Sequence, residues 1–173
     1  MSATSLQKKI CLIGSFAVGK TSLIARFVEG IFSEKYLTTV GVKIDRKVVE
    51  VEGQSVRLII WDLAGEDEFI RVRQSYLRGA HGVFYVFDGT RGETLENVHS
   101  LIDRVGTTVG NVPGIAVANK ADLESEWEVT DEAIAALEEK MPVVRTSAKT
   151  GDNVNAAFET LTRHVLRSGI ESG

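Results

Sequence analysis

The sequence has little of what marks membrane, secreted or nucleic-acid-binding proteins. No apolar run approaches the roughly 18 residues that a membrane-spanning helix needs, and residues 1–9 contain no apolar signal-peptide core. Lys and Arg nowhere form a block, and the formal net charge is −4, which argues against a non-specific nucleic-acid surface. We therefore expect a cytoplasmic protein that has no nucleic-acid partner.

Cysteine is nearly absent as well. The one cysteine, Cys11, excludes an internal disulfide, and its apolar neighbours favour packing in the core. Residues 167–173 hold no cysteine for prenylation, and Met1-Ser2 does not begin a myristoylation signal. We expect no encoded lipid anchor, so peripheral membrane association would require a partner or a tail that lies outside this sequence.

What the sequence does have is a regular alternation of strand and helix patterns, without a linker or a repeat. This alternation predicts an α/β fold: a six-stranded, mostly parallel sheet with one antiparallel edge strand and helices on both faces. We expect one domain over residues 1–173, with its core at about 8–167 and short flexible ends. The expected parallel strands are the apolar runs at 10–13, 83–87, 115–118 and 143–144.

One pair of strands is expected to run antiparallel. The runs at 40–51 and 56–61 are joined through Glu52-Gly53-Gln54, a connection short enough for a hairpin. Apolar stripes at helical spacing follow the later strands. The expected N-caps of those helices are Thr94, Thr130 and Asp152.

A phosphate-binding loop (P-loop) is predicted where the first strand passes into the first helix. Residues 14–22 read G-S-F-A-V-G-K-T-S and fit the pattern G-x-x-x-x-G-K-[ST]. Glycine at Gly14 and Gly19 leaves the backbone room to wrap around a phosphate, Lys20 would neutralise terminal phosphates, and Thr21 would offer its hydroxyl to Mg²⁺. A glycine-rich turn that binds nothing is the alternative. The backbone N–H groups expected to face the phosphates are those of Ala17, Val18, Gly19, Lys20, Thr21 and Ser22.

Further polar residues stand where other strands end, which is where ligands of such sheets bind. Asp62 can hold Mg²⁺ through a water molecule, and Gly65 can offer its N–H to a terminal phosphate. Asn119-Lys120-Ala121-Asp122 follows a later strand and supplies an amide, an ammonium and a carboxylate at that edge. Taken alone, that segment would equally suit a helix-capping turn.

Together these motifs resemble those of small GTPases of the Ras superfamily, most closely the Rab branch. The resemblance extends from Lys8 to Arg167. Thr38-Thr39-Val40-Gly41 is similar to the threonine segment of switch I, Asp62-x-x-Gly65 to the start of switch II, and Ser147-Ala148-Lys149 to the third base-binding motif. Rab-like stretches occur at 76–82 and 111–113.

The resemblance implies a P-loop NTPase domain that acts as a guanine-nucleotide switch: it binds GTP or GDP with Mg²⁺ and hydrolyses GTP slowly. It implies that the Asp122 carboxylate accepts hydrogen bonds from the N1–H and 2-amino groups of guanine and that Asn119 braces the base loop. It further implies that Lys120 lays its methylenes along the guanine ring and that Phe32 stacks edge-on to the ring. The Ala148 N–H would meet the guanine oxygen, and Thr39 would complete the Mg²⁺ shell while a γ-phosphate is present. Ser147 and Lys149 belong to the same nucleotide-binding set.

Protein partners are implied too. A monomer of this kind binds effectors, an exchange factor and a GTPase activator through its two switches. Ile44, Trp61 and Tyr76 match positions of a Rab surface patch that effectors read, although core packing explains Trp61 nearly as well.

Two residues depart from the family pattern beside the γ-phosphate. Glu66 stands where the family has the glutamine that orients the attacking water, and Phe16 stands where it has a small residue. Glu66 is held away from the phosphate, carries a raised pKa, or acts as a base or hydrogen-bond acceptor for the water, and the residues leave these readings open. Phe16 would fill the space through which an activator's arginine enters. The expected catalytic set is Lys20, Thr39, Gly65 and Glu66.

These departures leave an alternative function open. Glu66 and Phe16 would suit a GTP-binding adaptor with negligible hydrolysis. A P-loop kinase is a third option, and it is disfavoured because the Asn119–Asp122 motif has no role in one.

The base-reading role of Asp122 predicts a change of nucleotide preference. Asp122→Asn should shift binding from guanine toward xanthine nucleotides, because an amide donates to the 2-oxo group that a carboxylate repels. Competition between GDP and XDP measures this preference. Full retention of guanine preference in the variant would contradict the role.

Overall fold

The structure, a computed structural model, describes residues 6–32, 42–63 and 74–172. Within these ranges one sheet holds six strands: β1 (Leu6–Gly14), β2 (Val42–Val51), β3 (Gln54–Leu63), β4 (Gly82–Asp88), β5 (Gly114–Asn119) and β6 (Val143–Arg145). The helices of the same ranges are α1 (Lys20–Glu29), α2 (Gln74–Leu77), α3 (Gly92–Val109), α4 (Asp131–Glu138) and α5 (Val154–Ser172), with a 3₁₀ turn at Glu124–Glu126.

The strand order is β2-β3-β1-β4-β5-β6, and only the β2–β3 pair is antiparallel among the described strands. The predicted fold class is therefore confirmed. The β2–β3 hairpin closes through a two-residue turn in which Glu52 and Gly53 have φ of 52° and 76°. Positive φ at both positions is the geometry that matches the twist of the two strands.

Alternate side chains of the central strands face two separate hydrophobic clusters. Ile10 and Leu12 of β1 pack with α1 and α5 on one face, whereas Cys11 and Ile13 pack with α3 and α4 on the other. The continuous apolar runs of β1, β4 and β5 follow from this, because both faces of these strands are covered. Burial, partly offset by the charge of Lys9, raises the pKa of the Cys11 thiol to about 12, and the expected core packing of Cys11 is confirmed.

Two of the three expected N-caps need correction. Thr130 caps α4 as predicted, since its side chain accepts a hydrogen bond from the Ala133 N–H at 3.1 Å. Thr94 lies inside α3, because that helix already begins at Gly92. The Thr94 hydroxyl instead accepts from the Asp88 N–H at 2.9 Å and so joins the helix to the end of β4. Helix α5 begins at Val154, one residue later than an Asp152 cap implies.

The strand order reverses around β1, whose neighbours β3 and β4 lie on opposite sides of it. Ligands of open α/β sheets bind in the crevice outside the carboxyl ends of the strands at such a reversal. The parallel strands β1, β3, β4, β5 and β6 all have their carboxyl ends at that edge of the sheet. No helix in the described ranges is long and apolar enough to cross a membrane.

The opposite edge of the sheet contains a histidine that must stay neutral. The ring Nδ1 of His81 accepts a hydrogen bond from the backbone N–H of Lys9 at 2.9 Å, and the backbone N–H of His81 donates to the Lys9 carbonyl at 2.8 Å. Desolvation, reinforced by the charges of Lys8 and Lys9, lowers the His81 pKa below its ordinary 6.5. A protonated ring could not accept the Lys9 hydrogen bond.

This neutral histidine predicts a pH dependence of folding. The unfolded chain gains a proton at His81 near pH 6.5, whereas the folded chain gains it only at lower pH, so the free energy of unfolding falls as pH drops from above 6.5 toward the folded pKa. Urea unfolding of the wild type and of His81→Gln at about pH 8 and pH 5.5 isolates the effect. Because the His81 side chain is exposed and water screens its charge, we expect no more than about 1 kcal/mol.

His99 serves as an internal control for that comparison. Burial and the nearby Lys140 charge lower the His99 pKa as well, and His99 is present in both proteins, so its contribution cancels. An equal loss of stability with falling pH in the wild type and in His81→Gln would contradict the prediction.

Candidate nucleotide-binding site

The loop between β1 and α1 is enclosed by neighbouring backbone and side chains at its two motif glycines. A Cβ on Gly14 would stand 2.3 Å from the Val86 carbonyl oxygen of β4. A Cβ on Gly19 would stand 2.3 Å from Nδ2 of Asn119, and Gly19 has a φ of +102°. The protein itself therefore requires both glycines before any phosphate binds, a reason beyond the room for a phosphate that the sequence suggested.

A buried cation lies within this loop. The Lys20 side chain belongs to the first turn of α1, is 6% exposed, and donates from Nζ to the carbonyls of Gly14 at 3.3 Å and Ser15 at 3.1 Å. The helix N-terminus adds its own positive end, since the first N–H groups of a helix have no partner within it. The loop, the ammonium and the helix end together form a site that favours an anion.

Two oxygens suited to a hard cation meet beside the loop. The Thr21 hydroxyl donates to Oδ2 of Asp62 at 2.6 Å, and Asp62, on β3, is 1% exposed. Hydroxyl and carboxylate oxygens are ligands that Mg²⁺ accepts in proteins, so this pair fits the ion. Thr39, Gly65 and Glu66, the other residues predicted around the metal and the γ-phosphate, lie outside the described residues.

Asn119 joins the end of β5 to two other loops. Its Nδ2 donates to the Val18 carbonyl of the P-loop at 2.9 Å, and its Oδ1 accepts from the Thr146 hydroxyl at 3.0 Å. Both partners are buried, which makes each bond costly to lose. Sequence reasoning anticipated a bracing role for Asn119 but did not identify Val18 and Thr146 as its partners.

The remaining predicted base-reading residues lie on three segments, which follow α1, β5 and β6. Ser147 donates its hydroxyl to Oδ1 of Asp122 at 2.7 Å and accepts from the Thr150 N–H at 3.1 Å, so Asp122 is held in one orientation. Ala148 is buried and Lys149 is exposed beside them. Phe32, after α1, is half-buried and packs against the cluster that α1 and α5 form with the sheet.

Asp88, which sequence reasoning missed, lies at the end of β4 and binds the predicted base-contacting residue Lys120 together with two neighbours of its own. Its Oδ1 accepts from the N–H and hydroxyl of Thr90, and its Oδ2 accepts from Nζ of Lys120 at 2.9 Å and Nε of Arg91 at 3.1 Å. The side chain is 1% exposed. Burial alone would raise the Asp88 pKa, but the hydrogen bonds from Thr90, Lys120 and Arg91 outweigh it and hold that pKa below the ordinary 3.8.

Through Asp88, two cations are directed at the P-loop. Lys120 also donates to the Ala17 carbonyl at 3.2 Å, and Arg91 also donates from Nη2 to the Phe16 carbonyl at 2.8 Å. The position of Asp88 at a strand end was the available signal, because strand ends are where such a sheet places its ligand contacts. Nothing in the spacing of Arg91 marks it.

The residues of the expected effector patch also come together. Ile44 of β2 is the register partner of Trp61 on β3, and the Trp61 and Tyr76 rings have centroids 6.2 Å apart. Ile44 is exposed, while Trp61 and Tyr76 are half-buried. Lys9 places its ammonium 3.8 Å from the centroid of the Trp61 ring.

Comparison with known proteins identifies close relatives of this chain. A model of the Ras family matches residues 9–167. "Ras-related protein RIC1" of Oryza sativa subsp. japonica is 38% identical over 160 residues, which make up 91% of this chain and 79% of the relative. "GTP-binding protein ypt1" of Schizosaccharomyces pombe is 36% identical over 162 residues, with 91% and 79% covered. "Ras-related protein RABD2c" of Arabidopsis thaliana is 36% identical over 157 residues, with 89% and 78% covered.

Neutralising Asp88 should loosen the site and the fold together. In Asp88→Asn the amide group would face two cationic donors, so we expect the free energy of unfolding to fall by about 1–3 kcal/mol and the bound nucleotide to dissociate faster. Asp131→Asn is the matched control: Asp131 pairs with Arg145 at 2.9 Å, but its side chain is 89% exposed, so about 1 kcal/mol or less is expected. Urea unfolding compares the two, and equal losses would contradict the role of Asp88.

Proposed function

The chain belongs to the Ras family as a Rab-like small GTPase that binds GTP and GDP with Mg²⁺ and hydrolyses GTP, and we propose how its residues divide this work. The observation that carries the proposal is the meeting of three loops. Asn119 and Lys120 each donate to a P-loop carbonyl, and Ser147 donates to Asp122. The phosphate and base sites are thereby joined into one crevice. The alternative of an adaptor with negligible hydrolysis is not favoured, because the chain belongs to a family of GTP hydrolases.

The phosphate end of this crevice is formed by the P-loop and α1. Backbone N–H groups from Ala17 to Ser22 bind the phosphates, and Lys20 neutralises their charge from within the loop. Thr21, Asp62 and Thr39 would hold Mg²⁺, which when bound would neutralise phosphate charge, as in phosphoryl transfer generally, for which small GTPases are themselves a standard example. The Gly65 N–H contacts the terminal phosphate.

The base end selects guanine by pairing a carboxylate. Asp122, oriented by Ser147, accepts from the N1–H and 2-amino groups, and the Ala148 N–H meets the guanine oxygen. A base lacking those donors leaves a half-buried carboxylate without the two hydrogen bonds that guanine supplies, which discriminates strongly. Lys120, Phe32 and Lys149 complete the enclosure around the ring.

For the chemical step we propose that the Glu66 carboxylate accepts a hydrogen bond from the attacking water and so orients it toward the γ-phosphate. An acceptor of this kind suffices to direct a lone pair of the water, although a carboxylate cannot donate back to the phosphate as an amide can. Lys20 stabilises the charge that develops on the transferred group.

Effectors and regulators are expected of any member of this family. We propose that effectors contact Ile44, Trp61 and Tyr76, because these three side chains lie together and come close in sequence to the switch motifs that begin at Thr38 and Asp62. That the protein acts as a monomer in the cytoplasm stays a prediction.

The role of Glu66 is tested by single-turnover hydrolysis of GTP. Glu66→Ala removes the acceptor, so we expect hydrolysis to slow by at least about tenfold, the lower side of what a positioned acid–base group supplies. GDP affinity should stay nearly unchanged. The hydrolysis rate of the wild type should decrease as the pH is lowered, because the carboxylate becomes protonated.

Glu66→Gln is the matched control for that experiment. The amide keeps an acceptor oxygen but does not titrate, so hydrolysis should persist and lose its pH dependence. Rates that are unaffected by Glu66→Ala and independent of pH in the wild type would contradict the role.

A further inference from the structure

Arg26, in the last turn of α1, makes contacts that the proposed division of work does not use. Its Nε donates to the Ala148 carbonyl at 2.8 Å, and its Nη2 donates to the Lys149 carbonyl. A third bond runs from Nη1 to the Gly30 carbonyl at 3.3 Å. One guanidinium therefore holds two successive carbonyls of a loop that lies more than 120 residues away in the chain.

The Arg26 side chain is half-buried and lies beside the end of the same loop. Gly151, at the end of the same loop, has a φ of +88°, and a Cβ placed there would lie 3.6 Å from Cδ of Arg26. The planar guanidinium presents its donors in a fixed fork. By binding two adjacent carbonyls, it fixes both the position and the orientation of the loop. A flexible ammonium offers no such fork.

The loop that Arg26 holds is the one that orients Asp122. Ser147 immediately precedes Ala148 and donates to the Asp122 carboxylate at 2.7 Å, while its own carbonyl accepts from the Gly151 N–H at 2.8 Å. A shift of the Ala148 and Lys149 carbonyls therefore moves Ser147, and with it the carboxylate that Ser147 orients.

The other end of α1 bears Lys20 and Thr21, so one helix contacts both the phosphate end and the base end. The Arg26 backbone carbonyl accepts the Gly30 N–H at 3.0 Å and closes the helix without the guanidinium. The side chain is thus not needed to end α1, and its two bonds to the distant loop remain to be explained.

We propose that Arg26 is a positioning residue that sets the 147–149 loop for the guanine base and thereby slows nucleotide release. The inference rests on the proposed base-reading role of Asp122, Ser147 and Ala148. It assigns to Arg26 control of the base end alone, independent of the phosphates and of Mg²⁺.

The test is the dissociation rate of N-methylanthraniloyl-GDP, measured with Mg²⁺ and again after chelation with EDTA. Arg26→Met keeps the methylene stem and removes every donor, so we expect release to accelerate by about tenfold, as for the loss of charge-assisted hydrogen bonds. The factor should be the same with and without Mg²⁺, because contributions of separate contacts add.

Two further variants make the result specific. Arg26→Lys restores the charge without the fork, so release should be faster than in the wild type by at least about twofold yet slower than in Arg26→Met; this variant alone carries the test if Arg26→Met does not fold. Arg163→Met is the matched control, since Arg163 of α5 pairs at 3.8 Å with Glu52 on the hairpin, and its release rate should equal that of the wild type.

Other outcomes overturn the inference. Wild-type release rates in both Arg26 variants would remove the positioning role. An acceleration that disappears after chelation would show that Arg26 acts through the metal end. Failure of the proposed base reading would look different, because the wild type itself would then bind XDP as tightly as GDP, whatever the Arg26 variants do.

Discussion

The site depends first on the side-chain amide of Asn119. It donates to the Val18 carbonyl and accepts from the Thr146 hydroxyl, so the ends of three loops meet on one planar group. Its Nδ2 approaches Gly19 so closely that no side chain fits there. Because each partner is buried, any movement of one loop leaves a polar group unpaired, and that cost couples the P-loop to the base loop.

Asp88 adds an electrostatic layer to this arrangement. One buried carboxylate binds two cations, and each cation also reaches a P-loop carbonyl, Lys120 at Ala17 and Arg91 at Phe16. These contacts stabilise the P-loop only while the carboxylate and both cations are present, since a buried carboxylate without a cationic partner is strongly destabilising. Arg26 does the same for the 147–149 loop. Charged side chains that donate to backbone carbonyls therefore hold the loops around the crevice.

Much of the fold followed from the sequence because its cause is local. Burial on two faces gives β1, β4 and β5 their continuous apolar runs, and hairpin twist favours the short Glu52-Gly53 turn. Both patterns can be recognised within a few residues of sequence. The P-loop pattern likewise sits in one segment. The N-cap prediction for Thr94 was wrong because a threonine near the start of a helix can also accept a hydrogen bond from the preceding strand end, and the position of that strand decides between the two.

Periodicity and short motifs were enough to predict the fold class, the family resemblance and the residue types around a guanine nucleotide. The groups that hold those motifs in place became visible only once the chain was folded. Arg91, Thr146 and Arg26 are ordinary polar residues in the chain, and their partners are brought near by the order of strands in the sheet. Hydrogen bonds require approach to about 3 Å, and that approach is set by packing between elements far apart in sequence.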